Sequence, residues 1–166
     1  MNESFVDDEF IHNVIDRYSD MILRVSFQYV RNMQDAEDVV QDVFLGLLEC
    51  LSRTQFQSDE HMKAWLIRVA INKSKNAAKQ NARRRKREEL QLPHNSEHNQ
   101  PQFDDLEELL KNLSALDREV VYLHYYEGYS AKEISENFVH KSEKSLFKRL
   151  SRAREKLKEF LSEGDR

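Results

Sequence analysis

Glycine and proline are scarce in this 166-residue chain, which holds three of the first and two of the second. Tight hairpins draw on glycine, so a meander or sandwich of short strands is hard to build, whereas the abundant Leu, Lys, Glu and Ala favour helices. Cysteine is rarer still. Cys50 stands alone, which excludes an internal disulfide and fits a reducing cytosol. Its neighbours Leu47, Leu48 and Leu51 predict a packed thiol rather than a reactive one. No apolar run has membrane-spanning length and the first eight residues are largely polar and acidic, so neither membrane insertion nor a signal peptide is expected. Six histidines include His94 and His98, yet no Cys or carboxylate set accompanies them, and zinc is not expected. A glycine-rich phosphate loop and a nucleophile–base spacing are also missing. The expectation is a protein that is not an enzyme and carries no cofactor.

What is present is a segregated charge. Residues 63–87 carry ten basic side chains and no acidic one, although the whole chain has net charge −4. The segments 1–62, 63–87, 88–140 and 141–166 have net charges of −9, +10, −9 and +4. Two separated cationic segments on an anionic body point to one polyanionic ligand gripped at two places, with nucleic acid the leading candidate. A solvated face or a polybasic membrane patch is the bland alternative.

Apolar periodicity predicts an all-α chain. Phe10, Val14, Ile15, Tyr18, Ile22, Val25 and Tyr29 mark a first helix ending near Asn32. Asp35 is expected to cap a second, whose buried stripe is Val39, Val40, Val43, Phe44, Leu47, Leu48 and Leu51. Glu37, Asp38, Gln41 and Asp42 form an acidic patch on its other side, by itself best taken as solvated. Polar residues around Phe56 form a loop, and a third helix starts near His61. Trp65, Leu66, Val69, Ala70 and Ala77 would bury one side of it while Arg68, Asn72, Lys75, Asn76 and Lys79 project from others. Helical throughout, residues 63–87 span about 37 Å, enough to follow a groove for a turn of duplex. The five adjacent cations 83–87 are expected to fray.

Pro93 and Pro101 lie in a polar stretch that reads as a linker. The expected division is a domain at 1–90, a linker at 91–103 and a second domain at 104–163. Helices at 104–113 and 117–126 are separated by Ser114-Ala115-Leu116, with Gly128 suited to end the second. Ser130-Ala131-Lys132-Glu133 is a capping box opening a short helix to about Phe138, and Ser142 caps a last one. Leu146, Leu150, Ala153, Leu157 and Leu161 face inward there, leaving Lys144, Lys148, Arg152, Arg154 and Lys156 in water. A short helix, a turn and a longer basic helix make a helix-turn-helix, whose second helix enters the major groove.

Three stretches carry a family resemblance: Asp35-Ala36-Glu37-Asp38-Val39-Val40-Gln41-Asp42-Val43-Phe44, then Ala64-Trp65-Leu66-Ile67-Arg68-Val69-Ala70-Ile71-Asn72, then Leu150-Ser151-Arg152-Ala153-Arg154. In this order and at these separations the chain resembles the bacterial sigma-70 family, in its smallest group, the extracytoplasmic function (ECF) sigma factors. The resemblance implies two helical domains that bind core RNA polymerase, through the β′ clamp coiled coil and the β flap, and promoter DNA. It implies a polymerase contact at Asp38, Gln41 and Asp42. It also implies −10 recognition and opening by Phe56, Lys63, Arg68, Asn72, Lys75, Asn76 and Lys79, with Phe56 and Asn72 at a flipped base. Trp65 matches the family's Trp, with core packing its expected role. The −35 duplex would be read around Lys141, Ser142, Phe147, Lys148, Arg149, Ser151 and Arg152. An anti-sigma factor is a partner the resemblance admits, and the cytoplasm is the implied location.

Two features depart from the family pattern. Between Ile134 and Leu146 the chain is one residue longer than usual, and Val139-His140-Lys141 lacks the small residue often found in the turn. Phe147 stands where the family usually has Arg, Lys or a small polar side chain. It either touches a thymine methyl or turns into the core through a shifted register. Two other functions stay open: a free-standing helix-turn-helix regulator, and an interaction module whose basic segments bind an acidic protein. The acidic patch at Asp38–Asp42 and the aromatic loop discriminate among them, because a simple repressor needs neither.

Overall fold

A computed structural model of the chain describes residues 7–89 and 109–164. All regular structure among them is helical, and the chain divides into two compact units, 1–100 and 101–166. The linker expected at 91–103 lies outside the described residues, as do residues 104–108 of the predicted fourth helix.

The first unit packs three helices against one another: α1 (Asp8–Val30), α2 (Met33–Leu51) and α3 (Asp59–Glu89). Asp7 caps α1 by accepting from the Glu9 backbone N–H, and Asp8 and Glu9 add negative charge at the positive end of the helix dipole. Arg31 ends α1 in the left-handed region at φ 56°, and its N–H donates to the Phe27 carbonyl over 3.0 Å. Asn32 then extends and caps α2, accepting from the Asp35 N–H at 3.0 Å. The cap is therefore Asn32 rather than Asp35, because a left-handed residue followed by an extended one reverses the chain in two residues. Asp35 is released to accept from Asn81 Nδ2 of α3 at 2.8 Å.

The core is Val14, Tyr18, Ile22 and Val25 of α1 with Ala36, Val39, Val43 and Leu47 of α2 and Met62, Leu66, Ile67, Ala70 and Ile71 of α3. The expected stripes shift accordingly. Phe10 and Leu48 are exposed, Ile15, Val40 and Val69 are half-buried, and Ile67 and Ile71 are inside. On α3 the buried side is wedged between two helices, so it is wider than a single stripe. Cys50 is half-buried in the last turn of α2.

Helix α3 begins two residues earlier than expected. Ser58 Oγ accepts from the His61 N–H at 3.1 Å, and Asp59 is held by Arg17 of α1 at 3.1 Å. It runs unbroken to Glu89, through the five adjacent cations. Neighbours at i and i+1 point about 100° apart and do not face each other, and Glu88 reaches back to Arg84 at 3.9 Å. The break from helix expected at 83–87 is not seen.

In the second unit Ser114 caps α4 (Ala115–Val121), accepting from the Asp117 N–H at 3.2 Å. The break expected at 114–116 thus falls at 111–114, and α4 starts two residues earlier than expected. Helix α4 widens into a π-helical turn, Tyr122–Tyr126, closed by Gly128 at φ 78°. Then come α5 (Ala131–Asn137) and α6 (Glu143–Gly164), both packed together, with α4 also against α6. The capping box forms: Ser130 N–H donates to Glu133 Oε2 at 2.8 Å and Glu133 N–H to Ser130 Oγ at 3.2 Å. The first of these hydrogen bonds holds the Glu133 carboxyl below its usual pKa. Leu110, Val120, Leu123, Ile134, Val139, Leu146, Leu150 and Ala153 fill the core, whereas Leu157 is half-buried and Leu161 is exposed.

Candidate nucleic-acid interface

Of the seven candidate −10 residues six lie on α3, and five of these share one side of it. At about 100° per residue, Arg68, Asn72, Lys75, Asn76 and Lys79 fall within a sector of roughly 100°. Asn72, Lys75, Asn76 and Lys79 are exposed and Arg68 is half-buried. Lys63 is the exception. Nine residues before Asn72, it lies about 180° around the helix and is half-buried, so it does not join this face. Within the face, Lys75 Nζ sits over the Tyr29 ring of α1 at 5.6 Å, whereas Asn76 lines a groove toward α2.

Phe56 is held against this strip. Its ring is 5.6 Å from Trp65 and 5.5 Å from His61, edge-on to both. Trp65, Arg68 and Asn72 follow at steps of three and four, so Phe56, Trp65 and Asn72 lie along one line of the surface. Trp65 is half-buried rather than a core residue, and its ring comes near Gly46 of α2. An edge of aromatic surface followed by an amide and cations can stack a base, hydrogen-bond it and neutralise its phosphate.

On α2, Asp38, Gln41 and Asp42 are all exposed. Sequence reasoning missed the continuation of this patch: Leu45, 59% exposed, and Leu48, 43% exposed, extend it along the helix at the same spacing. Leu48 thus lies outside the buried stripe that periodicity predicts. Only three-dimensional packing reveals that α1 and α3 cover the other side, although the surplus of leucines in this helix was a signal. Asp38 and Asp42 also line an open groove of about 420 Å³ shared with Lys73, Asn76, Gln80 and Arg84 of α3. This polar groove connects the acidic strip to the cationic helix.

In the second unit Lys141 and Ser142, just before α6, and Phe147, Lys148, Ser151 and Arg152 on it are exposed. Ser142 caps the helix, accepting from the Ser145 N–H at 3.2 Å. The extra turn residue is accommodated before the cap: Val139 is buried, its N–H bonded to the Ile134 carbonyl, and Ser135 Oγ donates to the Lys141 carbonyl at 2.6 Å. Phe147 is 57% exposed, which excludes its turning into the core. Arg149 differs from its neighbours. It is half-buried, and its Nη1 donates to Asp117 Oδ1 of α4 at 2.7 Å. Arg154, expected in water, donates from Nε and Nη2 to the Tyr125 hydroxyl at 3.0 and 2.8 Å. Partners 29 and 32 residues apart leave no periodic signal, so both pairs were invisible in the sequence.

Among the described residues no group of His, Cys, Asp or Glu could hold a metal ion, and no helix is long and apolar enough to cross a membrane.

The description of Sigma-70 region 2 matches residues 14–84, and that of Sigma-70, region 4 matches residues 103–157. The chain is 35% identical over 60 residues to the RNA polymerase sigma-H factor of Pseudomonas aeruginosa. That stretch is 36% of this chain and 30% of that protein, so the match spans about a third of the relative's length. Among solved structures the chain is similar to the sigma factor RpoE in its co-crystal with the anti-sigma factor NepR from Bartonella quintana. The TM-score is 0.72 at 20% identity, covering 93% of this chain and 98% of that one. It is also similar to CnrH in complex with the cytosolic domain of CnrY, with a TM-score of 0.66 at 24% identity, covering 95% and 90%. Both structural likenesses bear on the fold. With one region matched on each of its two helical units, in order, the chain belongs to the sigma-70 family, in the ECF group.

Proposed function

We propose that this chain is a promoter-specificity subunit that binds bacterial core RNA polymerase, recognises −10 and −35 elements and promotes DNA opening. The observation that carries this reading is the pairing of two unlike strips on one three-helix unit. Asp38, Gln41, Asp42, Leu45 and Leu48 make an acidic-then-apolar edge on α2, suited to a basic protein helix with an apolar flank. Arg68, Asn72 and Lys79, beside the Phe56–Trp65 pair, make an aromatic–cationic edge on α3, suited to an unstacked single strand. A free-standing helix-turn-helix regulator has no use for either.

Opening a duplex needs no catalytic group. It needs sites that favour the unstacked base over the paired one by a few kcal/mol per flipped base. Phe56 would offer the stacking surface and Asn72 the amide that reads the base edge. The cations along α3 would follow the backbone, and the second unit would hold the upstream duplex through α6. A regulatory protein of the kind captured with RpoE and CnrH is in keeping with this reading, as is a cytoplasmic location beside polymerase.

The test is co-purification with core polymerase followed by transcription from a library of randomised promoters. Defined initiation dependent on this chain is expected. Binding to duplex DNA without polymerase, and no transcription, would favour the regulator instead.

A further inference from the structure

We infer that Phe147 reads the 5-methyl group of one thymine in the upstream duplex element; the inference rests on the function proposed above. Phe147 follows Leu146, which is wholly buried, and precedes Leu150, which is 3% exposed. The register of α6 is therefore fixed by its core, and the Phe147 ring stands on the outside at 57% exposure. A bare phenyl ring in water gains nothing for the fold.

Its surroundings argue for DNA rather than a protein. Residues 143–154 hold five cations and one acid, and Lys144, Lys148, Ser151 and Arg152 are exposed around or beyond the ring. Protein-docking sites are contiguous apolar patches. On α6 itself Phe147 belongs to no such patch: two turns further along the same face, Arg154 is engaged by the Tyr125 hydroxyl. The nearest exposed large apolar residue on the same helix is Phe160, 13 residues and about 20 Å further along the axis. One apolar group ringed by cations matches a major groove, where thymine methyls lie between two rows of phosphates. Placed one turn after Ser142, the helix cap, Phe147 belongs to the end of a recognition helix that approaches base edges.

Removing the methyl alone tests the idea. Holoenzyme containing wild-type chain selects its upstream element from a randomised duplex, and each thymine in that element is then replaced singly by deoxyuridine. One replacement should weaken binding about three- to fivefold, the worth of one methyl leaving an apolar contact. With Phe147→Ala the same replacement should cost nothing, and Phe147→Leu should keep part of the effect. Phe147→Lys should abolish the preference for thymine at that position while binding persists. A flat deoxyuridine scan, or a penalty that persists in Phe147→Ala, overturns the inference. So does a Phe147→Ala chain that loses polymerase or self-association with unchanged base preference. Accurate initiation with a flat scan overturns this inference alone. Failure to join polymerase overturns the proposed function, and the same selection and scan with the chain alone on duplex then decides the role of Phe147.

Discussion

Arg149 and Asp117 form a 2.7 Å ion pair that ties the basic helix α6 to the first turn of α4, with side chains only 32% and 19% exposed. The Arg17–Asp59, Arg84–Glu88 and Lys132–Glu136 pairs, by contrast, sit on side chains at least 60% exposed. Screening removes most of the value of those pairs, and less of this one. Arg149 thus holds the angle of α6 rather than waiting in solvent for phosphate. Arg149→Ala and Asp117→Ala should each lower unfolding free energy by about 1–3 kcal/mol, with marked coupling in the double-mutant cycle. Chemical denaturation measures both. The salt dependence of DNA binding should stay unchanged for Arg149→Ala, whereas Lys141→Ala, which removes an exposed cation, should flatten it.

The α2 strip carries a second prediction. Asp38→Arg with Asp42→Arg should abolish co-purification with core polymerase while leaving the thermal melt nearly unchanged, since both side chains are exposed. Leu45→Ala should weaken the association by roughly tenfold or more, as removal of a central apolar anchor does. Unchanged co-purification of all three would mean that the strip is merely solvated.

Phe56 and Asn72 separate packing from reading. Asn72 is exposed, so Asn72→Ala should alter stability by less than about 0.5 kcal/mol yet reduce permanganate reactivity of the −10 thymines. Phe56→Ala should reduce it too, by roughly ten- to a hundredfold in open-complex population, the worth of about 1–3 kcal/mol of stacking. Phe56→Ala should also cost some stability, because the ring packs on Trp65 and His61. Initial duplex engagement should be retained by both.

Gly128 closes the π-helical turn at φ 78° with open space around it, so the strain of a side chain there is purely conformational. Gly128→Ala should destabilise the second unit by about 1 kcal/mol, and Gly128→Asn by less. Thermal unfolding followed by circular dichroism would resolve the two.

The sequence made most of the helices legible because their signals are local. The Ser130–Glu133 box, the Ser142 cap and the stop at Gly128 each depend on residues within a few positions of one another. What escaped depends on distant partners. Val69 seemed buried and Ile67 did not, because the burying surface on α3 is set by where α1 and α2 lie. The Asp35–Asn81 hydrogen bond, between residues 46 apart, escaped for the same reason. At the candidate interface, the strip from Arg68 to Lys79 followed from spacing, whereas Lys63, named through the resemblance, faces another way. The Arg149–Asp117 pair was equally out of reach, since no local rule anticipates a partner 32 residues away.

The unbroken course of α3 through residues 83–87 has a geometric result. Five consecutive side chains on an α-helix cover the full azimuth, so this terminal stretch has no preferred bearing. All five are exposed. Its potential is close to cylindrical, and rolling the helix about its own axis hardly changes what an approaching anion meets. The sector from Arg68 to Lys79 is the opposite, with one orientation that serves and others that do not. A single rod therefore joins an isotropic end, which attracts at the range of the Debye length, to a directional middle that acts only on close contact.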